Sequence, residues 1–175
     1  HSGMLPLLLD VFPMAKVVTN EVCKGLLVEM HNLYEMDDRF IIVGQDDTID
    51  LGGKTLKFYL APWVHWPDTM FAEVVEDKVL FTSDFLGTHY ASETLFQNDD
   101  LPDYLEAAKR YYAAIMMPFR ASVREYLELV KTIDPKIIVI DADLAKANGT
   151  FNLRNKFPER AIDVGIAEQN MASIA

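Results

Sequence analysis

The chain has 175 residues and carries 27 acidic against 16 basic side chains, giving a formal net charge of −11. Half of its residues are hydrophobic and one quarter are charged, which is typical of a globular protein and argues against wholesale disorder. The length favours a single domain. A surplus of negative charge repels phosphate backbones, so no nucleic-acid partner is expected. Cys23 is the lone cysteine, which excludes an intrachain disulfide framework and a cysteine-based zinc site.

Neither a membrane-spanning segment nor a signal peptide is predicted from the sequence. No apolar run approaches the ~20 residues that span a bilayer, and the first apolar stretch, residues 4–9, lacks the basic leader of a signal peptide. The sequence therefore predicts a cytoplasmic protein with no membrane partner. Because it begins at His1 rather than at methionine, a truncated or processed chain is expected.

The first part of the chain predicts a helix, a strand, a second helix and a second strand. The first helix has one apolar face and ends at Pro13; the face consists of Leu5, Leu8, Leu9 and Phe12. Residues 15–19 form a β-rich run. Asn20 then caps a helix whose apolar residues recur every four positions, at Val22, Leu26 and Met30. Residues 40–43 (F-I-I-V) predict a buried strand.

Two β-hairpins follow. The first joins strands at 48–51 and 54–60 through the turn Gly52-Gly53. Alternation of side chains in its second arm predicts that one face is buried. The second hairpin joins strands at 70–75 and 78–82, and the dense segment 61–68 lies between the two hairpins.

Helical periodicity returns after residue 100. Pro102 is predicted to open a helix and Pro118 to close it; its apolar face consists of Leu105, Ala108, Tyr112, Ile115 and Met116. A further helix runs to Asp134. Strands are predicted at 137–140 and 161–164, with a helix from residue 166, so the predicted class is mixed α/β (α+β).

The segment A-P-W-V-H-W-P-D at 61–68 is the strongest chemical signal. It places His65 just after a predicted strand, in a loop stiffened by two prolines, where binding side chains often lie. A neutral imidazole there suits iron or zinc, and Asp68 could orient its other nitrogen. A histidine packed in a tryptophan-rich loop is an equally open interpretation.

A second candidate, Asp84, follows the next predicted strand in F-T-S-D-F-L-G-T-H. A carboxylate has two oxygens and can bridge two metal ions, although a turn-capping role is commoner for a single aspartate. His89 fits either a secondary partner or a surface residue. His1 fits a ligand or the scar of an expression tag, whereas His31 lies at a helix end and is assigned to structure.

Glu168 is a further candidate, in G-I-A-E-Q-N-M at 165–171. It follows a predicted strand and opens a helix, where a glutamate can accept a hydrogen bond from a bound heterocycle. Viewed alone, an acidic residue in a first helical turn is better explained by the helix dipole.

Residues 1–138 resemble the metallo-β-lactamase-like domain of flavodiiron proteins. The resemblance rests on H-S-G-M-L-P at the start, A-P-W-V-H-W-P-D-T-M-F at 61–71 and L-F-T-S-D-F-L-G-T-H-Y-A at 80–91. It implies a partial αββα sandwich with a non-haem diiron centre. Such proteins reduce dioxygen or nitric oxide with electrons from FMN in a flavodoxin-like domain.

By this resemblance His1, His65 and Asp84 correspond to metal ligands, with Asp84 bridging the two irons. The sequence departs from the family in two places: the H-x-E-x-D residues that precede the first histidine are missing, and I-D-A-D at 140–143 stands where an S-H-G segment is expected. A flavodoxin-like domain is not recognised within these 175 residues either. The expectation is an incomplete iron site and a chain that is inactive by itself.

Residues 139–175 resemble the pyrimidine-binding domain of transketolase, through V-I-D-A-D-L-A-K-A-N-G-T at 139–150 and F-P-E-R-A-I-D-V-G-I-A-E-Q-N-M-A-S-I-A at 157–175. The resemblance implies a short β-α segment in which Glu168 contacts thiamine diphosphate. A boundary between 138 and 139 and a chimeric chain are therefore predicted. Two alternatives remain open, a thiamine-diphosphate enzyme and a non-catalytic remnant that self-associates through exposed strand edges.

Overall fold

The computed structural model describes residues 2–90 and 103–140. Four α-helices are described: α1 (Leu5–Val11), α2 (Glu21–His31), α3 (Tyr104–Tyr111) and α4 (Arg120–Ile133). Seven strands are described: β1 (Val17–Thr19), β2 (Phe40–Ile42), β3 (Thr48–Asp50), β4 (Thr55–Leu60), β5 (Met70–Val74), β6 (Val79–Phe81) and β7 (Ile137–Val139). The predicted mixed α/β class is confirmed. The elements predicted after residue 160 lie outside the described residues.

The strands form two sheets. β1 and β2 make a two-stranded parallel sheet in which Val17 lies opposite Phe40. The other five strands follow the order β3-β4-β5-β6-β7, antiparallel up to β6 and parallel between β6 and β7. Because β6 and β7 run the same way, their carboxyl ends lie at one edge of the sheet.

Residues 2–43, which we call the N-terminal unit, fold around a core of their own. That core consists of Leu5, Leu9, Val17, Cys23, Leu27, Leu33 and Phe40. Both predicted helices and both predicted strands are present, but the prediction that the second strand is buried was wrong for Ile41 and Ile42, which are exposed. Arg39 fixes the end of α1, because its guanidinium donates to the carbonyl oxygens of Leu9, Phe12 and Ala15.

The prediction of the apolar face of α2 was wrong. The buried residues of this helix are Cys23 and Leu27, whereas the predicted face is exposed by 52%, 41% and 61% at Val22, Leu26 and Met30. The two apolar series lie ~100° apart on the helix surface, because each residue turns the helix by that angle. Only tertiary packing decides which series faces the core.

The first helix shows a smaller difference from the prediction. Leu5 and Leu9 are buried, but Phe12 is 57% exposed. The helix ends at Val11, and Phe12 leaves helical geometry with φ −117° and ψ 79°. Its side chain therefore no longer follows the helical face.

The described residues from 44 to 140, which we call the sheet unit, have a larger core beneath α3 and α4. Its buried members are Tyr59, Ala61, Val64, Phe71, Leu80, Phe85, Tyr111, Met116, Val123, Tyr126 and Val130. The Phe71 ring stacks on Phe85, with ring centres 5.4 Å apart, and meets the edge of Tyr126 at 6.0 Å. Both predicted hairpins are confirmed, and Gly52 and Gly53 take the positive φ values that their turn requires, 81° and 119°.

The prediction that β4 buries one face was too narrow. Phe58 and Tyr59 are neighbours in the strand and are exposed by only 2% and 5%. Since neighbouring strand residues point to opposite faces, the centre of β4 is covered on both sides. The Tyr59 hydroxyl donates to the buried Glu73 carboxylate at 2.6 Å. Burial, together with this carboxylate, raises the pKa of Tyr59.

Pro118 does not close a helix. The chain passes from α3 through a π-helical segment, Tyr112–Met116, and a 3₁₀ turn, Met117–Phe119, directly into α4. A π-turn inserts an extra residue and rotates the helix face that follows. Before this turn the chain buries Tyr111 and leaves the predicted Leu105 66% exposed. Within it the predicted Met116 is buried and the predicted Tyr112 is 41% exposed.

Candidate metal centre

The loop after β4 carries His65 and is closed by hydrogen bonds of its own. The amide of Ala61 donates to the carbonyl of Thr69 at 2.9 Å, and the amide of Trp63 donates to that of Trp66 at 2.8 Å. The Thr69 hydroxyl also donates to the Trp66 carbonyl at 3.0 Å. Trp63 holds a left-handed φ of 69°, a conformation that costs energy in a non-glycine residue. These hydrogen bonds hold the backbone of the loop in one defined conformation.

The loop after β6 carries Asp84 and is equally constrained. The buried Thr82 hydroxyl donates to the Phe85 carbonyl at 2.9 Å. The Asp84 carbonyl accepts from the Gly87 amide at 3.0 Å and from the Tyr111 hydroxyl at 3.2 Å. A Cβ at position 87 would lie 2.9 Å from that same carbonyl oxygen. Glycine is required there because any larger residue would displace the Asp84 turn.

These two loops bring the predicted ligands together. His65 Nε2 lies 3.3 Å from Asp84 Oδ2. Both side chains are mostly buried, with exposures of 25% and 16%. Of the four predicted site residues, the structure thus pairs His65 with Asp84, while His1 and Glu168 lie outside the described residues.

The donor chemistry of this pair fits iron. Imidazole nitrogen and carboxylate oxygen are the ligand types of non-haem iron sites. Two donors that each lie ~2.1 Å from one metal ion at about a right angle are separated by ~3 Å, close to the spacing seen here. Within residues 2–90 and 103–140, however, no group of three or more His, Cys, Asp or Glu side chains could hold a metal ion. Binding of a metal ion by this pair therefore stays a prediction.

Asp68, predicted to orient His65, is 5% exposed. Its backbone carbonyl accepts a 2.6 Å hydrogen bond from the Asn20 side-chain amide. Its carboxylate lies near the thiol of Cys23. Burial above all, with a smaller contribution from Asp68, raises the pKa of that thiol to about 12. Orientation of His65 by Asp68 stays a prediction.

Sequence reasoning missed two residues next to these loops, Asn20 and Tyr111. Asn20 lies 48 positions from Asp68, and Tyr111 lies 27 positions from Asp84, so no local pattern connects them. The two remaining histidines also have partners. His89 meets the edge of the Tyr111 ring at 5.0 Å, and His31 Nε2 lies 2.6 Å from the Ser2 hydroxyl, which agrees with its structural assignment.

Residues 2–141 match the family model described as ODP family beta lactamase. The chain belongs to this family. It is 39% identical over 137 residues to "Flavo-diiron protein FprA2" of Clostridium acetobutylicum, a match that covers 77% of this chain and 34% of that protein. It is 34% identical over 142 residues to "Anaerobic nitric oxide reductase flavorubredoxin" of Vibrio vulnificus, covering 80% and 28%. The resemblance to flavodiiron proteins is thereby confirmed, and the chain spans about a third of the length of these relatives.

The fold is also similar to a solved structure, "rubredoxin oxygen:oxidoreductase (ROO)" from Desulfovibrio gigas. That match has a TM-score of 0.71 and 27% identity, and it covers 81% of this chain and 35% of that one. The predicted metallo-β-lactamase-like architecture is thus confirmed. None of the described helices is long and apolar enough to cross a membrane.

A second family model, the transketolase pyrimidine binding domain, matches residues 115–175. This confirms the second resemblance and overlaps the first match over 115–141. The overlap contains α4 and β7. In the structure α4 packs in the core of the sheet unit through Val123, Tyr126 and Val130, and β7 pairs with β6. The predicted domain boundary between 138 and 139 stays a prediction.

Proposed function

We propose that this chain contributes to the non-haem diiron centre of a flavodiiron oxidoreductase that reduces dioxygen or nitric oxide. The observation that supports this most is the 3.3 Å approach of His65 to Asp84 from two separate, closed loops. Membership of the ODP family and the names of its relatives point the same way. His1 is proposed as a further ligand from outside the described residues.

Each residue has a distinct proposed role. His65 offers one nitrogen lone pair, and Asp84 offers two oxygens, which suits a bridge between two ions. Trp63 and Trp66 stand beside His65 with about half of their surfaces exposed, forming an aromatic rim. Iron would supply the redox chemistry, and FMN on a flavodoxin-like domain is the proposed electron source.

The number of ligands limits what this chain does by itself. Each iron ion needs about four to six donors, and the proposed set of His1, His65 and Asp84 supplies far fewer than two ions require. We therefore expect little or no reductase activity from the isolated chain. Two tightly bound irons per chain, measured by elemental analysis, would contradict this expectation.

Metal binding tests the proposal directly. The chain is titrated with Co²⁺ without oxygen, and binding is followed by absorbance and calorimetry. We expect His65→Ala and Asp84→Asn each to weaken binding at least about ten-fold, because the first removes the nitrogen donor and the second removes the negative charge and one of the two oxygen donors. His89 is exposed and lies shortly after Asp84 in the chain, so His89→Gln provides the matched control. This variant is expected to bind Co²⁺ like the parent. Binding that neither ligand variant weakens, or no binding at all, would refute the proposal.

The match over residues 115–175 favours a second candidate, binding of thiamine diphosphate through Glu168. A glutamate can accept a hydrogen bond from the aminopyrimidine ring. Calorimetry with thiamine diphosphate and Mg²⁺ tests this candidate, which predicts binding that is lost in Glu168→Gln. Absence of heat with the parent chain would eliminate it.

A further inference from the structure

We infer that Asn20 is a positioning residue for His65, which ties the N-terminal unit to the loop that carries the ligand. This inference rests on the proposed metal function of His65. It concerns a residue that lies outside the metal motifs and 45 positions before His65 in the chain.

Both ends of the Asn20 side chain are engaged. Its Oδ1 accepts from the backbone amide of Cys23 at 2.9 Å and so caps α2. Its Nδ2 donates to the carbonyl of Asp68 at 2.6 Å. The residue is only 6% exposed and has extended backbone geometry, with φ −86° and ψ 168°. A side-chain amide suits this position because it offers an acceptor and a donor at once.

The loop transmits this contact to His65. Asp68 lies three residues after His65, inside the loop closed by the bonds from Ala61 to Thr69 and from Trp63 to Trp66. Val64 and Asp68 are buried, with exposures of 0% and 5%. The loop is therefore anchored in the protein interior both before and after His65 in the chain. Since packed interiors resist deformation, a shift at Asp68 displaces His65 as well.

The hydrogen bond from Asn20 to Asp68 connects two units that have separate cores. Their buried cores share no member, and the Asn20 bond joins the first turn of α2 to the loop of the other unit. Without the amide donor, the buried Asp68 carbonyl would lose this hydrogen bond, which is unfavourable in a buried environment. The loop would then relax around Asp68, three residues after His65.

The test separates the two roles of Asn20. Asn20→Ser keeps an oxygen that caps α2 but is too short to reach Asp68. Asn20→Asp is a second variant that keeps the cap and replaces the donor by an acceptor. Leu27→Val, in the core of the same unit, is the matched control for general destabilisation. The readouts are the ring resonances of His65 by NMR at one fixed pH, and the Co²⁺ affinity of the whole chain.

We expect both Asn20 variants to shift the His65 ring resonances and to weaken Co²⁺ binding about ten-fold, because a displaced imidazole no longer meets the metal in its best orientation. Leu27→Val should change neither. Unchanged resonances and affinity in both Asn20 variants would overturn the inference. Equal changes in Leu27→Val would also overturn it, because they would show a merely structural effect. If the parent binds no Co²⁺, the proposed function fails, and the His65 resonances alone then decide whether Asn20 positions the ring.

Discussion

The N-terminal unit and the sheet unit bury their strands to very different extents. In β2 of the N-terminal unit, the adjacent residues Ile41 and Ile42 are 39% and 40% exposed. In β4 of the sheet unit, the adjacent residues Phe58 and Tyr59 are almost fully buried. Adjacent strand residues face opposite sides, so the centre of β4 is closed on both faces, whereas β2 is buried only at Phe40, its first residue. The loop that carries His65 leaves β4, the strand that is covered on both faces.

This difference predicts where the chain opens first. Local stability follows the number of buried apolar contacts, so we expect the amides of β1 and β2 to exchange with solvent well before those of β4 and β5. Hydrogen exchange measured by mass spectrometry checks this order. Equal protection of the two units would show that they open as one.

The largest expected effect comes from the core of the sheet unit. Phe71 is 0% exposed and contacts the rings of Phe85 and Tyr126. Phe71→Ala removes most of these contacts and leaves a cavity, which costs about 3–5 kcal/mol in the free energy of unfolding. Urea denaturation followed by circular dichroism measures the loss. A change below about 1 kcal/mol would show that this core is not tightly packed.

A smaller effect is expected for the same kind of change in the N-terminal unit. Leu27 is 3% exposed, but its core is the smaller one and is bordered by the partly buried Val28 and Met36, which can partly fill the space it leaves. Leu27→Ala should therefore cost about 2 kcal/mol, at the low end of the range for such changes. Hydrogen exchange should quicken in α1 and α2 and stay unchanged in β4. Loosening of β4 would indicate that the two cores are strongly coupled.

The buried thiol of Cys23 adds a pH dependence to the N-terminal unit. Burial raises its pKa from 9.0 to about 12, so between these values the folded protein holds a proton that the unfolded chain has lost. Its contribution to stability is full below pH 9 and falls as the pH rises, by about 1.4 kcal/mol at pH 10. Urea denaturation at pH 8 and pH 10 measures the loss. Cys23→Ala should lose less stability over this interval; an equal loss would assign the effect to other groups.

The smallest effect tests which face of α2 points inward. Met30 is 61% exposed, so Met30→Ser should change the free energy of unfolding by no more than about 0.5 kcal/mol. Thermal denaturation beside Leu27→Ala makes the comparison. A cost near that of Leu27→Ala would mean that the predicted apolar face is the buried one in solution.

Local patterns in the sequence were sufficient to locate most of the described elements and two candidate ligands. Turn residues such as Gly52-Gly53 and the spacing of apolar residues located the hairpins and helices, because these signals act over a few positions. His65 and Asp84 were found because each lies in the loop that leaves a predicted strand. Their approach to 3.3 Å depends on β5 and β6 pairing in the observed register, which no local pattern specifies.

The sequence by itself determined the family and the order of the described elements, and it singled out His65 and Asp84 as candidate metal ligands. Only the tertiary structure decided that α2 turns Cys23 and Leu27 inward, that the chain continues through Pro118, and that Asn20 reaches Asp68. The physical reason is the range of the forces involved. Propensity, capping and turn geometry act between near neighbours, whereas burial is settled by the packing of segments far apart in the chain.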